Sequence, residues 1–256
     1  MQMRLIPRRR RNPDGSMTVV EHLEELRRRI FFALAAVLLA SIFGFVFFDN
    51  IFDFLVKPYR RAVATLPPEA RPESERLAAL SPLEPFQTFL KVGLFTGLFI
   101  ALPLVLHQVW RYVTPGLKQR ERRLAAPFVV SSLVLFAGGF IFAYTILPRG
   151  LSFLFSFGSS NLVPVISVDR YVSFFMLVTL AFGLSFEFPL LMVFLAGAGV
   201  ITTRQMQRWR RYVYFGITVF AALITPTQDP FTMLLMTAPL ILFYEVAILV
   251  ARFFRR

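Results

Sequence analysis

Apolar runs long enough to cross a lipid bilayer alternate with arginine-bearing connections along most of the chain, and the arginines concentrate on every second connection. The runs extend roughly from Ile30 to Phe48, Phe86 to Leu106, Pro127 to Leu147, Tyr171 to Leu195, Tyr212 to Thr225 and Phe231 to Ala251. A hydrocarbon core is about 30 Å thick and a helix rises about 1.5 Å per residue, so about 20 apolar residues span it. The fifth run, at about 14 residues, reaches only about 21 Å and needs a thinner bilayer or shelter from neighbouring helices. It counts as a span, because without it Arg204, Arg208, Arg210 and Arg211 would share a side with the segment around Asp229. The expected fold is an all-α integral membrane protein with six transmembrane helices.

The basic residues outside the runs orient it. One side receives the N-terminus, the connections 111–126 and 196–211 and the C-terminal Arg252, Arg255 and Arg256, with 20 lysines and arginines. The other side, made of segments 49–85, 148–170 and 226–230, carries 7, balanced by a comparable number of acids. The positive-inside rule then places both termini in the cytoplasm. The net charge of +13 is thereby a topology signal. No basic soluble domain remains for a nucleic-acid partner once the spans are removed.

Several chemistries are excluded by composition. The chain has no cysteine, hence no disulfide, thiolate metal site or cysteine nucleophile. His22 and His107 stand in no H-E-x-x-H motif, no glycine-rich nucleotide loop is present, and no metal or cofactor is expected. Gly183-Leu184-Ser185 is the one fragment that hints at a serine hydrolase, and it lacks a local base; the chain does not read as an enzyme.

Arg8 to Arg11, followed by Pro13 and Gly15, head a basic tail over residues 1–16 that is expected to be disordered. The first apolar run begins only at Ile30, after an acidic segment and without a small-residue cleavage site beyond it, so the tail is not a cleaved signal. Thr18-Val19-Val20-Glu21 has the capping-box pattern, and Leu23, Leu26 and Ile30 then recur on one helical face. The opposite face offers Glu24 to Arg28 and Glu25 to Arg29 at the favourable four-residue spacing. After the second run, Glu121 is a single acid among Arg111, Lys118, Arg120, Arg122 and Arg123, while Pro115 and Gly116 interrupt the helix. Periodicity alone reads both acidic sites as locally neutralised surface.

The motifs His22-Leu23-Glu24-Glu25-Leu26-Arg27, Gln108-Val109-Trp110 with Tyr112, Pro115, Leu117 and Glu121-Arg122-Arg123, then Ser185-Phe186-Glu187-Phe188-Pro189, then Thr225-Pro226 with Asp229, follow one another in order. Together with six spans, they resemble TatC, the multi-spanning receptor subunit of the twin-arginine translocase. The resemblance covers residues 17–256 as one transmembrane domain. It implies a concave, glove-like bundle in the cytoplasmic membrane that receives twin-arginine signal peptides of folded cargo. Export would be independent of the Sec machinery and driven by the proton-motive force, in an oligomeric complex with TatA- and TatB-type single-span proteins. It also implies that Glu25 and Glu121 accept the two arginines, for which carboxylates offer parallel hydrogen bonds in a fork. Arg27 would orient the first carboxylate or hold the helix, and Tyr112 would offer a ring face to a guanidinium. The family usually carries phenylalanine at the Tyr112 position.

An acid inside a span, such as Glu187, is costly unless it faces a partner or water. Two readings stand: a structural lock with Gln108 or with a carbonyl freed by Pro103 or Pro189, and a polar patch for the signal peptide or a partner helix. Glu245, in the sixth run, is read as a paired or interfacial acid. Pro103, Pro189 and Pro239 favour kinks. Gly93 and Gly97 form a small-xxx-small pair, by itself weak evidence for helix association. On the outer side, Phe52, Phe54, Leu55 and Val56 read as an interfacial segment, and Glu84 and Asp229 as residues that shape the outer end. The competing classes are a proton-coupled transporter of a small solute, which predicts an internal repeat that the sequence does not show, and a structural scaffold indifferent to loss of charge at Glu25 and Glu121.

Overall fold

A computed structural model describes residues 19–68, 71, 76–113, 125–156, 165–197, 199–224 and 230–253. The tail through Ser16, the cap residue Thr18, Glu121 and Asp229 lie outside them. Among the described residues there are seven helices: α1 (Val19–Val46), α2 (Phe48–Ala64), α3 (Glu84–Val113), α4 (Ala125–Ser156), α5 (Val168–Gly197), α6 (Thr203–Ile224) and α7 (Pro230–Phe253). Helices α1, α3, α4 and α5 are long and apolar enough to cross a membrane. In α6, 22 residues long, arginines occupy much of the first half, so its apolar portion is as short as the sequence implies.

Burial is distributed as lipid contact demands. Leu39, Val46, Val134, Ile141, Leu184 and Leu223 are all exposed on helix faces, where a soluble protein would place charge; in hydrocarbon such faces cost nothing, provided the backbone is internally bonded. The centre is α5, which packs on α3, α4, α6 and α7. Val172, Phe175 and Thr179 are fully buried along it. Helix α1 leans chiefly on α3, and α6 on α7.

Two crossings bring backbones together. Where α1 meets α3, a Cβ on Gly44 would stand 2.6 Å from the Gly93 carbonyl oxygen, and one on Gly97 would stand 2.6 Å from the Val37 carbonyl oxygen. A side chain at Gly93 would enter the Phe45 ring. The small pair on α3 is thus the seat of α1. Where α4 meets α5, a Cβ on Gly139 would lie 2.6 Å from the Phe182 carbonyl oxygen.

The interfacial segment expected around Phe52 is the 17-residue helix α2, apolar on one side only, with Leu55, Val56, Tyr59, Ala62 and Val63 buried. Tyr171 on α5 donates to the Leu55 carbonyl oxygen at 2.7 Å, and Tyr144 on α4 donates to that of Phe54 at 3.0 Å. Helix α4 continues through Pro148 for another two turns beyond the end of its apolar run. A proline forfeits one backbone bond without ending a helix packed on both sides. Gly199, at φ 72°, reverses the chain after α5; only glycine enters that region without a Cβ penalty. Helix α6 then starts from a capping box in which Thr202 Oγ1 accepts from the Gln205 amide and Gln205 Oε1 accepts from that of Thr202.

Tyr171→Phe removes a bond that is wholly buried, and is expected to cost about 1–2 kcal/mol, read as a lower midpoint of thermal unfolding in detergent. An unchanged midpoint would mean that the Tyr171–Leu55 bond adds nothing to the hold on α2.

Candidate functional site

The α1–α3 crossing carries the N-terminal third of α1 to the C-terminal end of α3, and so brings residues 79 positions apart into contact. Glu25 is four residues before Arg29 on α1, hence on one helical face. Arg29 Nε and Nη2 both donate to Glu25 Oε1, the former at 3.1 Å, and Arg29 Nη1 donates to Gln108 Oε1 of α3 at 3.3 Å. The pair is mostly withdrawn from solvent, with the side chains 14% and 21% exposed. Glu25 Oε2 is buried and has no hydrogen-bond donor among the described residues. A carboxylate oxygen left in that state is costly, and among the described residues it is the unmatched acceptor of this region.

Beside it, His22 stacks on Tyr112 with ring centroids 4.3 Å apart and planes within 12°. The ring face that Tyr112 was expected to offer to a guanidinium is covered on one side by an imidazole. Arg27 does not orient Glu25: it is exposed, with its guanidinium 5.9 Å from the centre of the Phe31 ring. A residue two positions after Glu25 lies about 200° around a helix from it, whereas one four positions later lies directly above. Arg29 takes the role assigned to Arg27. Its spacing from Glu25 was visible in the sequence; its reach to Gln108 was not.

Glu187 also finds a partner other than the expected ones. Gln108 is engaged by Arg29, and the Glu187 carboxyl instead accepts from Ser132 of α4, whose Oγ in turn accepts from Trp110 Nε1 of α3 at 3.0 Å. This chain joins three helices. Ser132 is fully buried and Trp110 nearly so, the indole packed between Phe128 and Phe194. Glu187 Oε1 is buried and unpaired among the described residues. Nothing in the sequence pattern marked Ser132, since a serine within a span is unremarkable until its neighbours are known.

Glu245 and Glu84 also accept hydrogen bonds from neighbouring segments. Glu245 of α7 accepts from Arg210 and from the Tyr214 hydroxyl, both of α6, and the Tyr244 hydroxyl, buried, donates to the Met206 carbonyl oxygen at 2.9 Å. Glu84 Oε2 accepts from the Leu80 amide at 3.0 Å and the Ser167 hydroxyl at 2.9 Å, beside a short bridge between Ala78 and Ser167. Two turns into α3, Lys91 donates to Asp169 at 2.5 Å and to Ser173 at 2.8 Å. Lysine within the second apolar run was not singled out by sequence reasoning; an intramembrane cation needs a carboxylate across the helix interface, and Asp169 supplies it. Among the described residues no cluster of histidine and carboxylate side chains could hold a metal ion.

Long apolar helices with lipid-type surfaces, stapled at the crossings by a few acids, define a multi-spanning membrane protein. Comparison with known sequences gives the family. Residues 21–239 match TatC, Sec-independent protein translocase protein. The chain is 42% identical over 244 residues to the protein of that name from Frankia casuarinae, covering 93% of this chain and 66% of the relative, so it spans just under two thirds of that protein's length. It is 41% identical over 238 residues to the Koribacter versatilis protein of the same name, covering 92% of this chain and 85% of the relative. A crystal structure of the twin-arginine translocase receptor TatC superposes with a TM-score of 0.74 at 37% identity, covering 92% of this chain and 100% of that one. The chain belongs to the TatC family.

Proposed function

We propose that this chain is the receptor component of a twin-arginine translocase, binding the signal peptide of folded cargo on the cytoplasmic face of the cytoplasmic membrane. In this reading α1, α3, α4, α5, α6 and α7 all span the bilayer with both termini in the cytoplasm, and α2 lies at the outer interface. The contacts favour that arrangement. The start of α1 meets the end of α3, and the start of α6 meets the end of α7, so the arginine-bearing helix ends gather on one side, opposite Glu84, Lys91 and Asp169.

The observation that carries the proposal is the open, buried Oε2 of Glu25 at that end. A surface this basic repels an arginine-rich peptide at long range, so capture must depend on short-range acceptors from which water is excluded. Glu25 is one, and Glu121, in the connection that follows α3, is the second. Glu187, with its own unpaired oxygen inside the bundle, is the contact for the hydrophobic part of the signal or for a TatA-type helix. TatA- and TatB-type subunits supply the remainder of the passage in an oligomeric assembly, with the proton-motive force as the energy source.

The test is photo-crosslinking in native membranes between a twin-arginine signal peptide and probes placed beside Glu25 and Glu121. Strong crosslinks should disappear with a twin-lysine peptide and in the Glu25→Gln/Glu121→Gln double variant. Equal labelling by both peptides, indifferent to the glutamines, would remove receptor function from this end of the bundle.

A further inference from the structure

The Glu25 carboxylate is not offered bare to a signal peptide: a guanidinium of the protein already occupies half of it. Arg29 donates twice to Oε1 and is fixed from the far side by Gln108, so it is held by both α1 and α3, while Oε2 has no donor among the described residues. Resting on the reading of Glu25 as a signal acceptor, we propose that Arg29 is a specificity-determining residue of the site. It neutralises the carboxylate in advance, so that an incoming cation is selected by its hydrogen-bond fit to Oε2 and not by its charge.

The physical argument turns on the difference between arginine and lysine. A naked carboxylate in a partly desolvated pocket attracts any cation, and the attraction falls off slowly with distance. With Arg29 in place the Glu25–Arg29 pair carries no net charge, and an arriving ammonium gains too little attraction to repay the loss of its tight hydration. It also meets the positive edge of Arg29. A guanidinium is planar and weakly hydrated, tolerates a second guanidinium alongside, and can place an N–H on Oε2 while keeping others free for the second acceptor. Discrimination then comes from an element that repels the wrong ligand as much as from one that attracts the right one. Gln108 matters because Arg29 without it would be free to swing toward solvent and leave the carboxylate exposed; its acceptor oxygen keeps the resident guanidinium in the pocket.

The experiment measures binding of a fluorescent twin-arginine signal peptide and its twin-lysine counterpart to the full-length protein in lipid nanodiscs, over a range of salt concentrations. Wild type is compared with Arg29→Gln, Arg29→Lys and Glu25→Gln. Arg29→Gln is expected to raise twin-lysine binding on the order of tenfold, to narrow the preference for twin arginine, and to make the lysine binding steeply salt-sensitive, as for an unscreened charge. Arg29→Lys, which keeps the neutralising charge, should continue to exclude the twin-lysine peptide. A gain of binding cannot arise from a damaged fold, and Arg29→Met reads the same way should the glutamine variant not fold. If wild type prefers twin arginine and loses it in Glu25→Gln, yet Arg29→Gln weakens both peptides alike or leaves their ratio unchanged, Arg29 is a structural brace and this proposal is overturned. If wild type binds both peptides equally, or Glu25→Gln changes nothing, the receptor reading of Glu25 fails first and the role of Arg29 fails with it.

Discussion

Gly97→Leu is expected to detach α1 from α3 and to leave little folded protein in the membrane. A side chain there would meet the Val37 carbonyl oxygen at 2.6 Å and the Ser41 amide nitrogen at 2.7 Å. Both are backbone atoms, so no rotamer change relieves the collision and one helix must move away from the other. Overpacking that side chains can absorb costs about 1–3 kcal/mol; a backbone collision lies at or beyond the upper end of that range. Because α1 has little contact with any other helix, losing this crossing also loses Arg29 from Gln108 and His22 from Tyr112. The check is protease resistance and thermal unfolding in detergent, with Gly216→Leu as the control. Gly216 lies on an exposed face of α6 with no atom within 4 Å of a built Cβ, so that variant should melt like wild type. Equal behaviour of the two variants would mean that α1 is seated by its apolar surface and not by close backbone approach.

The second large effect is expected at Ser132. Its hydroxyl is the only link between the Trp110 indole and Glu187 among the described residues: it accepts from one and donates to the other. Ser132→Ala therefore removes the hydroxyl that accepts from the buried Trp110 N–H and the donor to a carboxyl whose other oxygen has no partner among the described residues. At about 1–3 kcal/mol for each polar group that loses this partner, the single variant should lose roughly 2–6 kcal/mol of stability. Glu187→Leu removes the acceptor as well, and the Ser132→Ala/Glu187→Leu pair should be less destabilised than the sum of the two, a coupling of about 0.5–3 kcal/mol. Additive losses would show that the hydroxyl and the carboxyl are not bonded in the membrane. Gln108→Leu offers a contrast, since Gln108 touches Arg29 and not Glu187, and it should show no coupling with Glu187→Leu.

Much of the architecture could be read without coordinates. Hydrocarbon permits few backbone solutions, so apolar length alone called for helices, and the runs from Phe86, Pro127 and Tyr171 lie within α3, α4 and α5. The glycine pair 93 and 97 was legible as a motif but not as a seat, because the spacing of small residues says nothing about which helix arrives. An interfacial segment was expected at Phe52, Phe54, Leu55 and Val56, yet its extent as α2 depended on Tyr144 and Tyr171 reaching in from two other helices.

The candidate site divides in the same way. Which residues carry charge, how many there are and on which end of each span they fall are one-dimensional facts, and the sequence by itself determined the membrane class, the arginine-rich side and the acids Glu25, Glu84, Glu187 and Glu245 as exceptions within it. Beyond the Glu25–Arg29 pair, which the four-residue spacing already offered, the partner each acid takes was decided only in three dimensions. Glu25 went to Arg29, its helical neighbour, and through it to Gln108; Glu187 went to Ser132 rather than Gln108; Glu245 bound Arg210 and Tyr214. The reason is that a lipid-facing helix conceals little in its own periodicity: every face is apolar, so rotation about the axis, and with it the choice of neighbour for each polar atom, is fixed by the close contact of glycines and by hydrogen bonds that have nowhere else to go.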